Sequence, residues 1–308
     1  VDSTLQLVQC DDNTDGFSIF NLMDAIPELS TNYTNETFAF YPSQNDALNE
    51  TNSINNITTY TNTSVTNEII WVLVTSNFGC ATITSINLLV ATSQIPSGFS
   101  RVFNTCDDFL DSNGNDTANN NDTDGIATFN FSSVTSDILN LFPSNQQLAV
   151  SYYQTQQDAQ TQQNPISDPS NYRNIGFANT QQIFVRIENP ANSTCLYVGP
   201  HITLIVDPVP VSNPVSNIEV CDDDTDGDDT NGFVQSIDLE NQTPAILGTQ
   251  DPSNFTVTYH ENSADATTGN NPLNSLFTNA TVNQQTIYVR VLNNTTDCFV
   301  DRASFDIV

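Results

Sequence analysis

At 308 residues and a formal charge of −31, the chain sets 36 Asp and Glu against five arginines (Arg101, Arg173, Arg186, Arg290, Arg302) and no lysine. So acidic a surface repels nucleic-acid phosphates, offers no basic patch to neutralise them and disfavours anionic membrane faces; it does favour solubility and collects divalent cations. High charge also marks disordered chains, but 37% of the residues are apolar, with 18 Phe and nine Tyr, and they alternate, so a folded chain is expected.

Cysteines at positions 10, 80, 106, 195, 221 and 298 form no Cys-x-x-Cys pair, which removes zinc ribbons and thioredoxin-like redox sites. An even, widely spaced set suits structural disulfides in an oxidising compartment. No apolar run is long enough for a membrane-spanning helix, so direct membrane insertion is not expected. With no signal-peptide pattern at Val1 and an apolar strand at Phe305–Val308, a fragment of a longer chain is expected.

Aligning the cysteines exposes three repeats. Each opens on a short strand and Cys-Asp-Asp, at Cys10, Cys106 and Cys221. An alternating strand follows (FAFY, LAVSYY, FTVTYH), then Asp-Ala at Asp46-Ala47, Asp158-Ala159 and Asp265-Ala266, then an aromatic near a turn, Tyr60, Tyr172 or Phe277. The penultimate strand carries Trp71, Phe184 or Tyr288 at equivalent places; the second cysteine and a last strand complete the unit. Period-2 alternation, β-branched and aromatic enrichment and Asn/Asp/Gly turns predict an all-β fold, three tandem immunoglobulin-like β-sandwiches of roughly 100 residues each. Only Leu22–Leu29, Val134–Leu141 and Leu239–Leu247 hint at a helical turn, with Pro27 and Pro244 limiting two of them. The predicted domains are 1–94, 95–209 and 210–308. The linkers at Ala91–Phe99 and Asp207–Pro214, the latter stiffened by Pro208-Val209-Pro210, point to an extended, monomeric string.

These features resemble the repeats of very large Bacteroidetes cell-surface proteins that end in gliding-motility-associated or type IX secretion sorting domains. The resemblance rests on the Cys-Asp-Asp-x-x-Asp-Gly-Phe opening (Cys10–Phe17), the Asp-Ala turn, the aromatic-Val-Arg strands and the Pro-x-Pro linker, and it covers essentially the whole chain. It implies type IX export, an extracellular or cell-surface location, and a part in adhesion or filament formation. Repeat two departs most, through an insertion between Cys106 and Gly125.

After its first cysteine each repeat sets oxygen-bearing side chains at alternate positions before a glycine: Asp11, Asn13 and Asp15; Asn120, Asp122 and Asp124; Asp222, Asp224 and Asp226. This is the D-x-[DN]-x-[DN]-G half of a calcium loop, whose alternation turns several oxygens inward around a sharp glycine turn. The twelfth position is Leu22, Phe131 or Phe233 rather than an acid, so further ligands must come from other loops or water. Calcium is the expected cofactor; a solvated turn is the alternative.

Two disulfide schemes fit. Pairing within repeats, Cys10–Cys80, Cys106–Cys195 and Cys221–Cys298, is favoured; pairing across linkers, Cys80–Cys106 and Cys195–Cys221, is the alternative. With the favoured scheme each acidic loop is drawn to the pole facing the preceding repeat, so that of repeat two is expected against repeat one. His201 and His260 lie in different repeats without partner patterns, and no nucleophile elbow, phosphate loop or His-Glu-x-x-His occurs, so no enzyme is expected. The expected function is a structural stalk or filament whose partners are neighbouring repeats of the same longer chain. The alternative is a module binding surface glycans or proteins, with Tyr152, Tyr153 and Tyr172 as its aromatic candidates.

Overall fold

The computed structural model describes residues 5–11, 15–144, 146–190 and 192–308. Repeat one contains β1 (Leu5–Cys10), β2 (Ile19–Phe20), β3 (Glu36–Tyr41), β4 (Tyr60–Thr61), β5 (Asn67–Ser76) and β6 (Ala81–Ala91). A four-stranded sheet runs in the order β1-β6-β5-β3, and β2 pairs with β4 separately. The strands β3, β5 and β6 are antiparallel neighbours, whereas β1 lies parallel to β6, with Cys10 opposite Ala91.

The other repeats follow the same plan. Repeat two has β7 (Arg101–Cys106), β8 (Thr128–Phe129), β9 (Ala149–Tyr153), β10 (Tyr172–Arg173), β11 (Thr180–Asn189) and β12 (Asn192–Asp207), with the sheet order β7-β12-β11-β9 and a β8–β10 pair. Repeat three has β13 (Ile237–Asp238), β14 (Phe255–His260), β15 (Leu276–Phe277), β16 (Gln285–Asn293) and β17 (Phe299–Ile307). There the first strand shrinks to a parallel bridge between Ile218 and Ile307.

Inward-facing alternate residues supply the cores, as the period-2 pattern requires. In repeat one Phe20, Leu22, Phe40, Tyr60, Ile70 and Ile86 pack together; Ile237, Leu239, Tyr259, Phe277, Ile287 and Phe305 do so in repeat three. Two structural reasons now explain the Asp-Ala marker. Ser43, Thr155 and Asn262 cap short helices by accepting a hydrogen bond from the backbone N–H of Asp46, Asp158 and Asp265. The next residue, Ala47, Ala159 or Ala266, is fully buried, where a methyl is all the side chain that is accommodated. The three anticipated helical turns also form, and Pro27 and Pro244 sit in a first turn, where the missing N–H costs nothing.

The chain divides into two compact units, Val1–Val102 with Asn130–Tyr172 and Gln182–Thr203, and Phe103–Phe129 with Arg173–Gln181 and Leu204–Val308.

Candidate functional site: acidic loops and cystine links

Each acidic loop begins where the first strand ends, and its first aspartate turns back to fasten the loop's glycine. Asp11 Oδ2 accepts from Gly16 N–H at 3.0 Å, Asp107 Oδ2 from Gly125 N–H at 2.8 Å, and Asp222 Oδ2 from Gly232 N–H at 2.6 Å. The residue before the glycine then accepts from the N–H after it: Asp15 from Phe17, Asp124 from Ile126, Asn231 from Phe233. These glycines hold φ of +80°, +71° and +76°. A Cβ at Gly125 would stand 2.6 Å from the Asn179 backbone nitrogen, so both conformation and space demand glycine.

A second pin was absent from the sequence reading. Asn62, Asn174 and Asn279, each buried, receive the N–H of Ser18, Ala127 and Val234 on Oδ1. Through Nδ2 they donate to the carbonyls of Gly16, Gly125 and Gly232 and to those of Ser64, Phe177 and Thr281. All three stand two residues after the turn aromatic, so the pattern Tyr/Phe-x-Asn was available as a signal.

The candidate ligand sets fare differently. Asn13 lies outside the described residues, and nothing is stated of the Asp226 side chain. In repeat three the glycine equivalent to Gly16 and Gly125 is Gly232; Asp224 belongs instead to a short 3-10 turn ending at Gly227. In repeat two Asn120 is tied to Thr117 N–H and the Asp116 carboxylate, and Asp122 forms an ion pair with Arg302. Arg173 clamps the insertion: it meets the Asp108 carboxylate through two nitrogens at 2.6 and 2.9 Å and donates to the carbonyls of Asp111 and Ser112. Among the described residues no three His, Cys, Asp or Glu side chains are grouped so as to hold a metal ion. One oxygen is nonetheless stranded. Asp107 is 6% exposed, its Oδ1 has no hydrogen-bond partner among the described residues, and its pKa is pushed up to about 6, first by burial and then by the charges of Asp124, Asp108 and Asp122, against the Gly125 N–H bond.

The disulfides overturn the within-repeat scheme. Cys10 bonds Cys195 and Cys106 bonds Cys298, with Cα atoms 5.1 and 5.5 Å apart, while Cys80 and Cys221 are free and exposed. The expected Cys10–Cys80, Cys106–Cys195 and Cys221–Cys298 pairs do not form, and neither do the cross-linker pairs. The parallel β1–β6 pairing is the reason. It sets Cys10 opposite Ala91, eleven residues past Cys80, so the two cysteines of one repeat lie at opposite ends of a strand roughly 35 Å long. The first cysteine therefore meets the second cysteine of the following repeat. Cys195 is buried among Val8, Leu89 and Ala91, and Cys298 Sγ lies 3.9 Å from the Asp207 carbonyl at the end of β12. The acidic loops follow the same reversal: that of repeat two pairs its Asp122 with Arg302 of repeat three, not with repeat one.

Neither histidine is poised for chemistry. His201 is held between the Phe99 carbonyl and the Tyr197 hydroxyl, His260 between the Asn270 carbonyl and the Thr258 hydroxyl. Tyr152, Tyr153 and Tyr172 are buried, so they offer no exposed aromatic platform.

Successive β-sandwiches cross-linked first cysteine to second cysteine define a structural, stalk-like module. The chain belongs to the Flavobacterium inter-domain disulphide bond domain family, whose profile matches three times, over residues 6–96, 102–210 and 217–308. No curated protein matches. Among solved structures, Drosophila N-cadherin EC1-4 aligns over 99% of this chain and 73% of its own at 10% identity and a TM-score of 0.20. The human desmocollin-1 ectodomain aligns over 99% and 61% at 11% identity and 0.24. A Bacteroides ovatus mixed-linkage glucan utilization protein, SGBP-B, crystallised with a heptasaccharide, aligns over 100% and 67% at 8% identity and 0.18. At these scores the likenesses carry no argument. Four cysteines in disulfides place the protein outside the reducing cytoplasm.

Proposed function

We propose that the chain is a section of the stalk of a bacterial cell-surface adhesin, exported by the type IX route, in which covalent cross-links between repeats carry mechanical load. The cross-repeat cystines support this reading best, since a bond between successive repeats serves a load-bearing string and has no use in a free-standing module. Buried tyrosines and histidines satisfied by structural hydrogen bonds favour a scaffold over a ligand site or an enzyme. Antibodies against the chain should label intact, unpermeabilised cells of the source organism. Labelling that requires permeabilisation would defeat the proposal.

A second element, calcium in the loop of repeat two, rests on the stranded Asp107 Oδ1 beside Asp124, Asp108 and Asp122. A cation there would neutralise bunched carboxylates and raise the melting temperature by mass action. Millimolar calcium should raise it, and Asp107→Asn should abolish the response. If calcium and chelator leave the melting temperature of the wild type the same, the loop is a hydrogen-bonded turn.

A further inference from the structure

The three acidic turns are built alike but differ at one oxygen. In repeat one the second oxygen of the leading aspartate is satisfied, Asp11 Oδ1 accepting from the Asp15 N–H at 3.2 Å. In repeats two and three it is not. Asp107 Oδ1 and Asp222 Oδ1 are both buried without a hydrogen-bond partner among the described residues, and Asp107 as a whole is 6% exposed.

The residue facing the turn changes in step. Thr66, Asn179 and Asn283 occupy equivalent places, with φ of +63°, +67° and +65°, and each donates its N–H to the carbonyl of the turn glycine. Thr66 presents its methyl, Cγ2, to Gly16, 3.5 Å from where a Cβ would stand. Asn179 and Asn283 present Oδ1 instead, 2.6 Å from a Cβ at Gly125 and 2.9 Å from one at Gly232. The glycine whose N–H holds one oxygen of the aspartate therefore lies against the carboxamide oxygen, and only its missing side chain admits that oxygen so closely. The left-handed backbone does not by itself require asparagine, since Thr66 adopts it too.

A stranded carboxylate oxygen and a second acceptor thus meet at the same turn in repeats two and three, and nowhere in repeat one. A buried charge without a partner is costly, and a cation offsets it. The surroundings favour one. The charges of Asp124, Asp108 and Asp122 bear on Asp107, while Arg173 and Arg302 pair with Asp108 and Asp122 rather than with Asp107. In repeat three six aspartates stand between positions 222 and 229, and Arg290 is turned away onto Phe299 and the Ala266 and Thr267 carbonyls.

We propose that Asn179 and Asn283 are calcium ligands, each completing with Asp107 Oδ1 or Asp222 Oδ1 a pair of oxygens over the glycine turn, so that repeats two and three bind the ion and repeat one does not. For repeat two this rests on the calcium reading above and adds a second ligand; for repeat three it adds a site. Two side-chain oxygens leave the rest of the ion's roughly six to eight positions to water and carbonyls, which sets a dissociation constant of about 10⁻⁴–10⁻³ M.

The test titrates the whole isotope-labelled chain with calcium chloride to about 20 mM at constant ionic strength, and follows the amide signals of Gly16, Gly125 and Gly232 by NMR. Gly125 and Gly232 should shift to saturation, and Gly16 should not. Asn179→Gly and Asn283→Gly keep the positive φ but lose the oxygen, and each should weaken binding roughly tenfold in its own repeat alone. Asp107→Asn and Asp222→Asn, which keep an acceptor for the glycine N–H, should abolish it there; the response that Asp107→Asn removes is that of repeat two. Saturation at Gly125 that Asp107→Asn removes but Asn179→Gly leaves as tight would overturn this inference and keep the calcium reading. Saturation at Gly16, or none at Gly232, would likewise overturn the inference alone. No saturation at Gly125 would overturn both.

Discussion

Pulling the oxidised chain from its two ends should reveal the cystine pattern as a length. Force applied at Val1 runs nine residues to Cys10, crosses to Cys195, returns 89 residues to Cys106, crosses to Cys298 and runs ten more to Val308. The alternative routes between Cys10 and Cys298 use 96 or 103 residues, so the 89-residue path sets the limit. That leaves 108 residue steps, a fully stretched length of about 360–390 Å at 3.3–3.6 Å per residue. Pairing within repeats would leave 71 steps, or about 230–260 Å, and the reduced chain about 1,000–1,100 Å. Single-molecule force spectroscopy separates these three values easily. An oxidised contour length near 250 Å or near 1,000 Å would refute the cross-repeat linkage and the mechanical reading built on it.

Asn174→Ala should destabilise repeat two by about 2–4 kcal/mol, because around a side chain 1% exposed it takes the acceptor from the Ala127 N–H and a donor from the Phe177 carbonyl, while the Gly125 carbonyl keeps the Asn179 N–H. Urea unfolding with amide exchange should find the loss in that repeat; a change below about 1 kcal/mol would show that water replaces the pin. The raised pKa of Asp107 sets a pH dependence. Its folded value of about 6 exceeds the unfolded value, so the folded state binds more protons between roughly pH 4 and pH 6. Its contribution is full below pH 4, is lost as pH rises through 6, and amounts to no more than about 3 kcal/mol. Asp107→Asn, which keeps the acceptor for Gly125, should therefore raise the melting temperature in chelator at pH 7.5 and leave it unchanged at pH 3.5. An equal effect at both values would remove the electrostatic argument.

The strand pattern, the three repeats, the Asp-Ala turn and the helical segments were legible because each is a local preference repeated three times. The cystine partners were not. They depend on whether β1 runs parallel or antiparallel to β6, and alternation reads the same in both directions. One parallel pairing moved Cys10 to the opposite pole and reversed both the bonds and the direction the acidic loops face. Spacing also misled in repeat three, where two glycines five residues apart, Gly227 and Gly232, close the same acidic stretch and only the reach of Asp222 selects between them. The neutralisation of repeat two's loop was hidden for a further reason. Arg173 lies 65 residues from Asp108 and Arg302 lies 180 from Asp122, so no local motif announces either pair.

The charge of the chain and its cystine pattern bear on one another. A chain with 36 acids and five arginines repels itself, and among the described residues four of those five form ion pairs with carboxylates. Only Arg302–Asp122 among these joins two repeats, and its arginine is exposed; such a pair contributes little and weakens in salt, so it cannot secure a junction under load. A disulfide is indifferent to both charge and salt. At the link between repeats one and two the bond lies beside Ala91, where the peptide leaves β6 for the linker, so the junction is crossed twice by covalent structure: once by the backbone and once by Cys10–Cys195. Two crossings restrict twisting as well as stretching, which a Pro-containing linker alone does not. They also mean that unfolding one repeat leaves the next still attached through the sulfur route. An acidic chain can therefore stay soluble through its charge and still hold its repeats together without drawing on the interactions that this charge weakens.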